Sequence, residues 1–381
     1  MKRSLLVLLT VLATTTALAQ APIPAPPTVP TNGYILIDHD SGRVLAEQRS
    51  DDRMEPASIT KLMTAYIVFQ ALQEKRLTLT ENVLVSVNAW RTGGSASGGS
   101  TTFLEVGSQV PVEVLIKGMI VQSGNDATIA LAEKLGGSED GFAQMMNEYA
   151  KRLGLTSTHF TNSWGGPSPA HYSTARDLAN LSRAIVREFP DNYRWYSLRE
   201  FTWNGKTQPN RNGLLARDPS VDGIKTGHTD SAKYCLVSSA RRNGMRLISV
   251  VLGSPTIKAR EDASAALLNY GFTFYETVRL QSAGKAVLTP QVFKGATGSV
   301  AVGSARDISV TLARGQSAAV QKEATVRGPL IAPLAAHATV GEYKITAGNE
   351  IIARIPLVTL TAVKEGGWWH GMVDTVKLWF E

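Results

Sequence analysis

Three short groups of residues carry the side chains that nucleophilic acyl transfer needs: Ser58-Ile59-Thr60-Lys61, Ser123-Gly124-Asn125 and Lys225-Thr226-Gly227. A serine hydroxyl is a poor nucleophile until a neighbour takes its proton. Ser58 and Lys61 stand three apart, so on a helix their side chains share one face and reach each other. Lys61 can accept the proton only when neutral. Bringing a lysine from about 10.4 to near 7 takes on the order of 4–5 kcal/mol of bias against its charged form, which burial and a second cation supply. Lys225 is expected to be that cation, leaving one lysine as base and the other facing substrate. Ser123 and Asn125 are expected on the opposite wall of a cleft, the hydroxyl relaying a proton to a leaving amine and the amide holding the substrate backbone. Ser-Gly-Asn-Asp is also a good helix-start sequence, and the two roles are compatible.

These groups need elements to hold them. Pro56-Ala57-Ser58 leads into residues 59–73, where Leu62, Tyr66, Phe69 and Leu72 recur at helical spacing, so Ser58 is expected on a helix's first turn. Its backbone N–H would then face developing negative charge, with the N–H of His228 as the partner donor of an oxyanion hole. Strand-like runs at 34–38 and 43–47 around a Gly-containing loop predict a hairpin, and 234–240 with 245–252 predict a second one around Arg241-Arg242-Asn243-Gly244. A strand is expected to follow the Lys225 group. Helical patterns lie at 111–121, 126–135, 141–153, 174–189 and 259–270. Helices inserted between an early and a late hairpin imply an α+β fold, with one antiparallel sheet built from both ends of the domain. Residues 92–102 are almost entirely Gly, Ser, Thr and Ala, a connector or a lid over the site. Beyond about Leu280 short alternating segments such as 299–302, 308–312 and 351–357 predict a small all-β domain.

The two ends have their own character. Lys2 and Arg3, an apolar run over 5–13 and Ala17-Leu18-Ala19 read as a secretory signal peptide over 1–19. Residues 20–32 read as a solvated Pro-rich spacer, 33–277 as the main domain, 278–362 as the β-rich domain and 363–381 as an amphipathic helix. In the last, Trp369, Met372, Val373, Val376, Trp379 and Phe380 fall within an arc of roughly 120°, opposite His370, Asp374, Lys377 and Glu381. Sixteen residues make about 24 Å of helix, so this segment is expected to lie in a membrane interface rather than to span it. The formal net charge of +7 suits an encounter with anionic polymers or headgroups, and no basic run interleaved with aromatics points to nucleic acid. Cys235 is the single cysteine, in an apolar run where it packs as a small core residue. The six histidines, His39, His159, His171, His228, His337 and His370, form no metal-ligand spacing. Neither a metal nor a cofactor is expected.

In order and setting the three groups match the motif set of the serine penicillin-recognising enzymes. Leu153-Gly154-Leu155 with His159-Phe160, Tyr172-Ser173-Thr174-Ala175-Arg176-Asp177-Leu178, Asn212-Gly213-Leu214-Leu215 and Val221-Asp222-Gly223-Ile224 extend the likeness. The chain resembles the low-molecular-mass penicillin-binding proteins that act as D-alanyl-D-alanine carboxypeptidases. The resemblance implies an exported, periplasmic enzyme attached peripherally to the outer face of the inner membrane through its C-terminal helix. It would remove the terminal D-alanine from peptidoglycan stem pentapeptides through an acyl-enzyme on Ser58, and β-lactams would acylate it. Substrate would meet Lys225, Thr226, Gly227 and His228, with Arg211 and Arg260 near its carboxylate. One departure from the family's pattern is Trp164-Gly165-Gly166, which alters the cleft rim without touching the chemistry.

Three alternatives remain at this point. A class A β-lactamase would carry Glu-x-x-Leu-Asn between Asn125 and Lys225, and that arrangement is missing. Endopeptidase relatives tend to lack the extra β-domain. A non-catalytic wall-binding scaffold would not need all three groups intact.

Overall fold

The computed structural model describes residues 23–367. The predicted signal peptide and residues 368–381 of the predicted C-terminal helix lie outside the described residues; at the helix's expected start the chain is instead still part of the β-rich region, where buried Val363 bridges Leu334 and Glu365 bridges Gly295. The main sheet has five antiparallel strands: β1 (Gly33–Asp38), β2 (Val44–Gln48), β3 (Val221–Thr229), β4 (Lys233–Arg242) and β5 (Met245–Ser254), in the spatial order β2-β1-β5-β4-β3. The early hairpin therefore joins the late one edge to edge, with Leu36 opposite Ser249. Every residue of β1 is buried, which a strand covered by helices on both faces requires. The β4–β5 turn is shorter than expected. Asn243 and Gly244 alone occupy it, both at positive φ (49° and 85°), and this geometry lets two residues join twisted strands.

One face of the sheet carries α1 (Lys61–Gln73), α2 (Asn125–Gly136), α3 (Glu139–Arg152) and α4 (Ala175–Glu188); their apolar residues form one core with Ile35, Ile37, Val237 and Val250. The other face carries α5 (Ile257–Phe274), whose Leu267 and Leu268 pack with Leu36, Leu247 and Val251. Helix α1 is buried almost all round, so its apolar residues form no single stripe.

Several elements depart from the sequence expectation. The helix expected over 59–73 begins as a 3-10 turn, Ala57–Thr60, and becomes α-helical only at Lys61. The helix expected over 111–121 is α-helical only at Val112–Lys117. It then widens into a π turn at Gly118–Gln122 and stops where Ser123 takes a left-handed conformation. The expected strand, β4, does follow the Lys225 group, but the group itself also lies within a strand, β3, that the sequence did not reveal. A hairpin of Glu200–Trp203 and Lys206–Pro209 has no apolar alternation strong enough to reveal it. The Pro-rich stretch is docked at two points: Asn32 donates to the Leu252 carbonyl (2.9 Å) and Tyr270 donates to that of Pro24 (2.9 Å), with Val29 buried between.

With no intervening linker, α5 passes into β6 (Tyr275–Gln281), which pairs antiparallel with β7 (Ile308–Ala313). Three further strands, Val320–Val326, Thr339–Ala347 and Glu350–Thr359, pair antiparallel in sequence order, and a separate core forms around Val302, Val310, Leu312, Ile345 and Leu357. The β1–β2 turn contacts this β-rich part. Buried Asp38 accepts from Thr277 Oγ1 (2.7 Å) and from Ser41, and Arg43 donates to the Thr311 carbonyl (2.7 Å).

Candidate active site

The three sequence groups, 64 to 167 residues apart, converge on a cleft of about 640 Å³. Each is held by a distinct local device. Ala57, at φ 48°, turns the chain sharply after Pro56 and places Ser58 in the 3-10 turn. Ser123 (φ 60°) closes the π turn, so Asn125 opens α2 with its side chain in the cleft. Lys225 lies on β3, the edge strand of the sheet. Gly227 faces the turn before the serine, where a Cβ would come within 2.8 Å of the Pro56 carbonyl oxygen.

Lys61 Nζ donates to Ser58 Oγ (2.9 Å), Asn125 Oδ1 (2.8 Å) and the Trp164 carbonyl (2.7 Å). Burial, reinforced by the positive charge of Arg211 and opposed by Asp126 and Glu139, lowers its pKa to about 7. The sequence assigned this cationic influence to Lys225. Lys61 and Lys225 act on each other: burial first, then the charges of Lys61, Arg211 and Arg260, hold the Lys225 amine well below the usual lysine range. Arg211 adds a second positive charge acting on both amines. Lys225 Nζ instead donates to Ser123 Oγ (2.9 Å) and the Thr226 carbonyl (3.0 Å).

Arg211 and Arg260 both line the cleft, together with Thr226, Gly227 and His228. Arg211 Nε donates to the Gln122 carbonyl (2.9 Å), while Arg260 makes only long contacts (3.3–3.4 Å) to the carbonyls of Gly227, Cys235 and Arg211. Neither forms a salt bridge with a carboxylate of the described residues, and Arg260 Nε lacks a hydrogen-bond partner there. Two guanidiniums beside an amine make an acceptor site for an anion.

The glycine-rich stretch 92–102 forms one wall. Gly98, Gly99 and Ser100 line the cleft, and Asn125 N–H donates to the Ser100 carbonyl (2.8 Å). Fully buried Asp126 fastens it to α2. Its carboxylate accepts from Thr101 Oγ1 (2.7 Å) and from the backbone N–H groups of Thr102 (2.8 Å) and Leu104 (3.0 Å). The sequence analysis missed this role, although an acid directly after Asn125 at a helix start was a usable signal. It also missed the Trp164 carbonyl, which no side-chain pattern announces.

A family model described as D-alanyl-D-alanine carboxypeptidase matches residues 20–256, and one described as penicillin-binding protein 5, C-terminal domain, matches residues 275–365. The chain belongs to the D-alanyl-D-alanine carboxypeptidase family. This carboxypeptidase is 42% identical over 361 residues to the D-alanyl-D-alanine carboxypeptidase DacA of Escherichia coli (strain K12), covering 94% of this chain and 90% of the relative. It is 43% identical over 357 residues to DacC of the same strain, covering 93% and 89%. The solved structure of penicillin binding protein 5 from Haemophilus influenzae superposes with a TM-score of 0.83 at 40% identity, covering 90% of this chain and all of that one. The enzyme is a serine-type D-alanyl-D-alanine carboxypeptidase of the penicillin-binding class with an α+β main fold and an all-β C-terminal domain. This removes the lactamase, endopeptidase and scaffold alternatives as descriptions of its family.

Proposed function

We propose that this carboxypeptidase uses Ser58 as nucleophile and neutral Lys61 as the base that activates it. The observation that carries the proposal is the 2.9 Å contact of Lys61 Nζ with Ser58 Oγ, made by an amine whose pKa lies at about 7. As Lys61 takes the proton, Ser58 Oγ attacks the carbonyl of the penultimate D-alanine. The oxyanion is received by the backbone N–H groups of Ser58 and His228. The peptide C–N bond then breaks as Ser123, held by Lys225, delivers its proton to the departing amine of D-alanine and is reloaded with the proton that Lys61 took, which leaves Lys61 neutral again. Lys61 next takes a proton from water as the water attacks the ester carbonyl, and passes it to Ser58 Oγ as the ester C–O bond breaks. Asn125 orients both Lys61 and the substrate amide.

The substrate is a peptidoglycan stem pentapeptide. Its terminal carboxylate pairs with Arg260, Arg211 and Lys225 and accepts from the Thr226 hydroxyl, so a chain end is distinguished from an internal peptide bond. A β-lactam places its own carboxylate and strained carbonyl in the same positions and traps Ser58. Mass spectrometry of the penicillin-treated protein should find the adduct on Ser58, and Ser58→Ala should release no D-alanine from a stem pentapeptide. An adduct elsewhere, or full turnover by that variant, overturns the assignment.

The same proposal covers location. Residues 1–19 direct export to the periplasm, 33–277 form the peptidase domain and 278–362 the β-rich domain. The segment from Gly366 to Glu381 rests on the outer face of the inner membrane. Among the described residues no helix is long and apolar enough to cross a membrane. The support is the six-residue apolar arc, together with three tryptophans in this short segment, Trp368, Trp369 and Trp379, which favour an interface. A chain ending before Gly366 should keep its rate on soluble peptide, while the mature chain sediments with anionic lipid vesicles. Equal vesicle binding by both refutes the anchor.

A further inference from the structure

One carboxylate close to the site is unused by the mechanism above. Glu139 is the first residue of α3, but its side chain does not serve its own helix, because Ser138 already caps it by accepting from Gly141 N–H. The carboxylate turns instead to Ser163, accepting from its hydroxyl (2.5 Å) and its backbone N–H (3.2 Å). Ser163 is fully buried, and its carbonyl accepts from Thr64 Oγ1 (2.6 Å) on α1, one turn from Lys61. The next carbonyl along the chain, that of Trp164, is a hydrogen-bond acceptor of Lys61 Nζ. From the far side Asn162 Oδ1 accepts from the N–H groups of Gly165 and Gly166 (both 2.8 Å). The segment 162–166 is thus clamped at both ends, with the Trp164 carbonyl between the clamps.

We propose that Glu139 is a positioning residue for the Lys61 amine: through Ser163 it holds the Trp164 carbonyl against Nζ. This inference rests on Lys61 being the base.

The charged groups around Lys61 come from four elements. Arg211 precedes β3 and opposes the ammonium form, while Asp126 on α2 and Glu139 on α3 support it. Lys225 on β3 is coupled to Lys61 as well. Glu139 itself faces Glu133 on α2 and Lys61 on α1, and burial raises its pKa. Of the two carboxylates, Asp126 also holds the glycine-rich wall, so Glu139 is the one whose charge can be removed without dismantling the cleft. Glu139→Gln keeps an acceptor for the Ser163 N–H, lets the Ser163 hydroxyl turn to accept from the amide NH2, and removes the charge. Glu139→Asp retains the charge and shortens the clamp.

The test is the rate of Ser58 acylation by a fluorescent penicillin, followed from pH 5 to 9 in the full mature chain and both variants. The wild-type rate should rise through a limb near pH 7. In Glu139→Gln the midpoint should move to lower pH by roughly 0.3–1 unit, since a removed anion makes the ammonium easier to neutralise. In Glu139→Asp the midpoint should stay within about 0.2 unit while the plateau rate falls about 3- to 10-fold, because the base is displaced. A wild-type limb that Glu139→Gln leaves in place overturns the inference alone. A wild-type profile without a limb near pH 7 overturns the assignment of Lys61 as base, and this inference with it. Loss of melting temperature without a midpoint shift would mark Glu139 as merely structural.

Discussion

Gly165 packs against the Ala57 peptide so closely that a Cβ on it would lie 1.9 Å from the Ala57 carbonyl oxygen. Gly165 also sits at φ +89°, where an L side chain costs about 1–2 kcal/mol on conformation alone. The obstacle is backbone and cannot swing aside. Gly165→Ala should therefore push on the turn that carries Ser58 and lower the penicillin acylation rate by about 10-fold or more. An unchanged rate would mean that the serine turn tolerates displacement.

Arg211 and Arg260 separate by pH. Because the charge of Arg211 lowers the Lys61 pKa, Arg211→Ala should raise it and move the acid limb of the rate profile above pH 7. Arg260 does not figure among the groups acting on Lys61, so Arg260→Ala should lower the rate with little movement of the limb. Stopped-flow acylation across pH distinguishes the two, and a limb that moves downward in Arg211→Ala contradicts the electrostatic account.

A charge-assisted contact to the substrate carboxylate is worth roughly 1.5–3 kcal/mol. Arg260→Ala should accordingly reduce kcat/KM for a D-alanyl-D-alanine peptide about 10- to 150-fold. Acylation by an ester lacking that carboxylate should suffer far less. Equal losses on both would make Arg260 a structural residue.

His171 gives the fold a pH dependence of its own. It is buried, its Nδ1 accepts from Thr161 N–H (3.1 Å), and its Nε2 lies 2.7 Å from Thr60 Oγ1, on the turn that holds Ser58. Burial lowers its pKa from 6.5 to about 4, so the folded protein favours the neutral ring. The unfolded chain takes up the proton first as the medium acidifies. Its contribution is present above about pH 6.5 and is lost as pH falls toward 4, on the order of 3 kcal/mol in all. Thermal melts should show His171→Gln losing less stability than wild type over that interval; parallel curves would refute the linkage.

Four of the five sheet strands were legible because buried runs around turn residues leave local signals: the 34–38 and 43–47 runs and those flanking Asn243-Gly244 announce their hairpins. The edge strand β3 was not, since its Gly-, Lys- and Thr-rich sequence has no apolar run. Ser58, both lysines and Asn125 were legible as cleft residues for a chemical reason, since few residue types suit acyl transfer at that spacing. The 3-10 start of the serine helix was not. It depends on Ala57 in a conformation its residue type disfavours, and that is imposed by packing from Gly165 and Gly227, 108 and 170 residues away. The influence of Arg211 on the Lys61 amine was hidden for a similar reason: which charges act on a buried amine is a property of the assembled cleft.

The junction at Asp38 bears on how far the enzyme can reach. Helix α5 runs into β6 without a spare residue, and the β1–β2 turn is bonded across the seam to Thr277 and Thr311. The cleft is therefore carried on a bracket. If the β-rich domain is seated on a membrane, as proposed, the mouth of the cleft would stand at one height above it and face one way, and the stem peptides trimmed would be those whose ends reach that height.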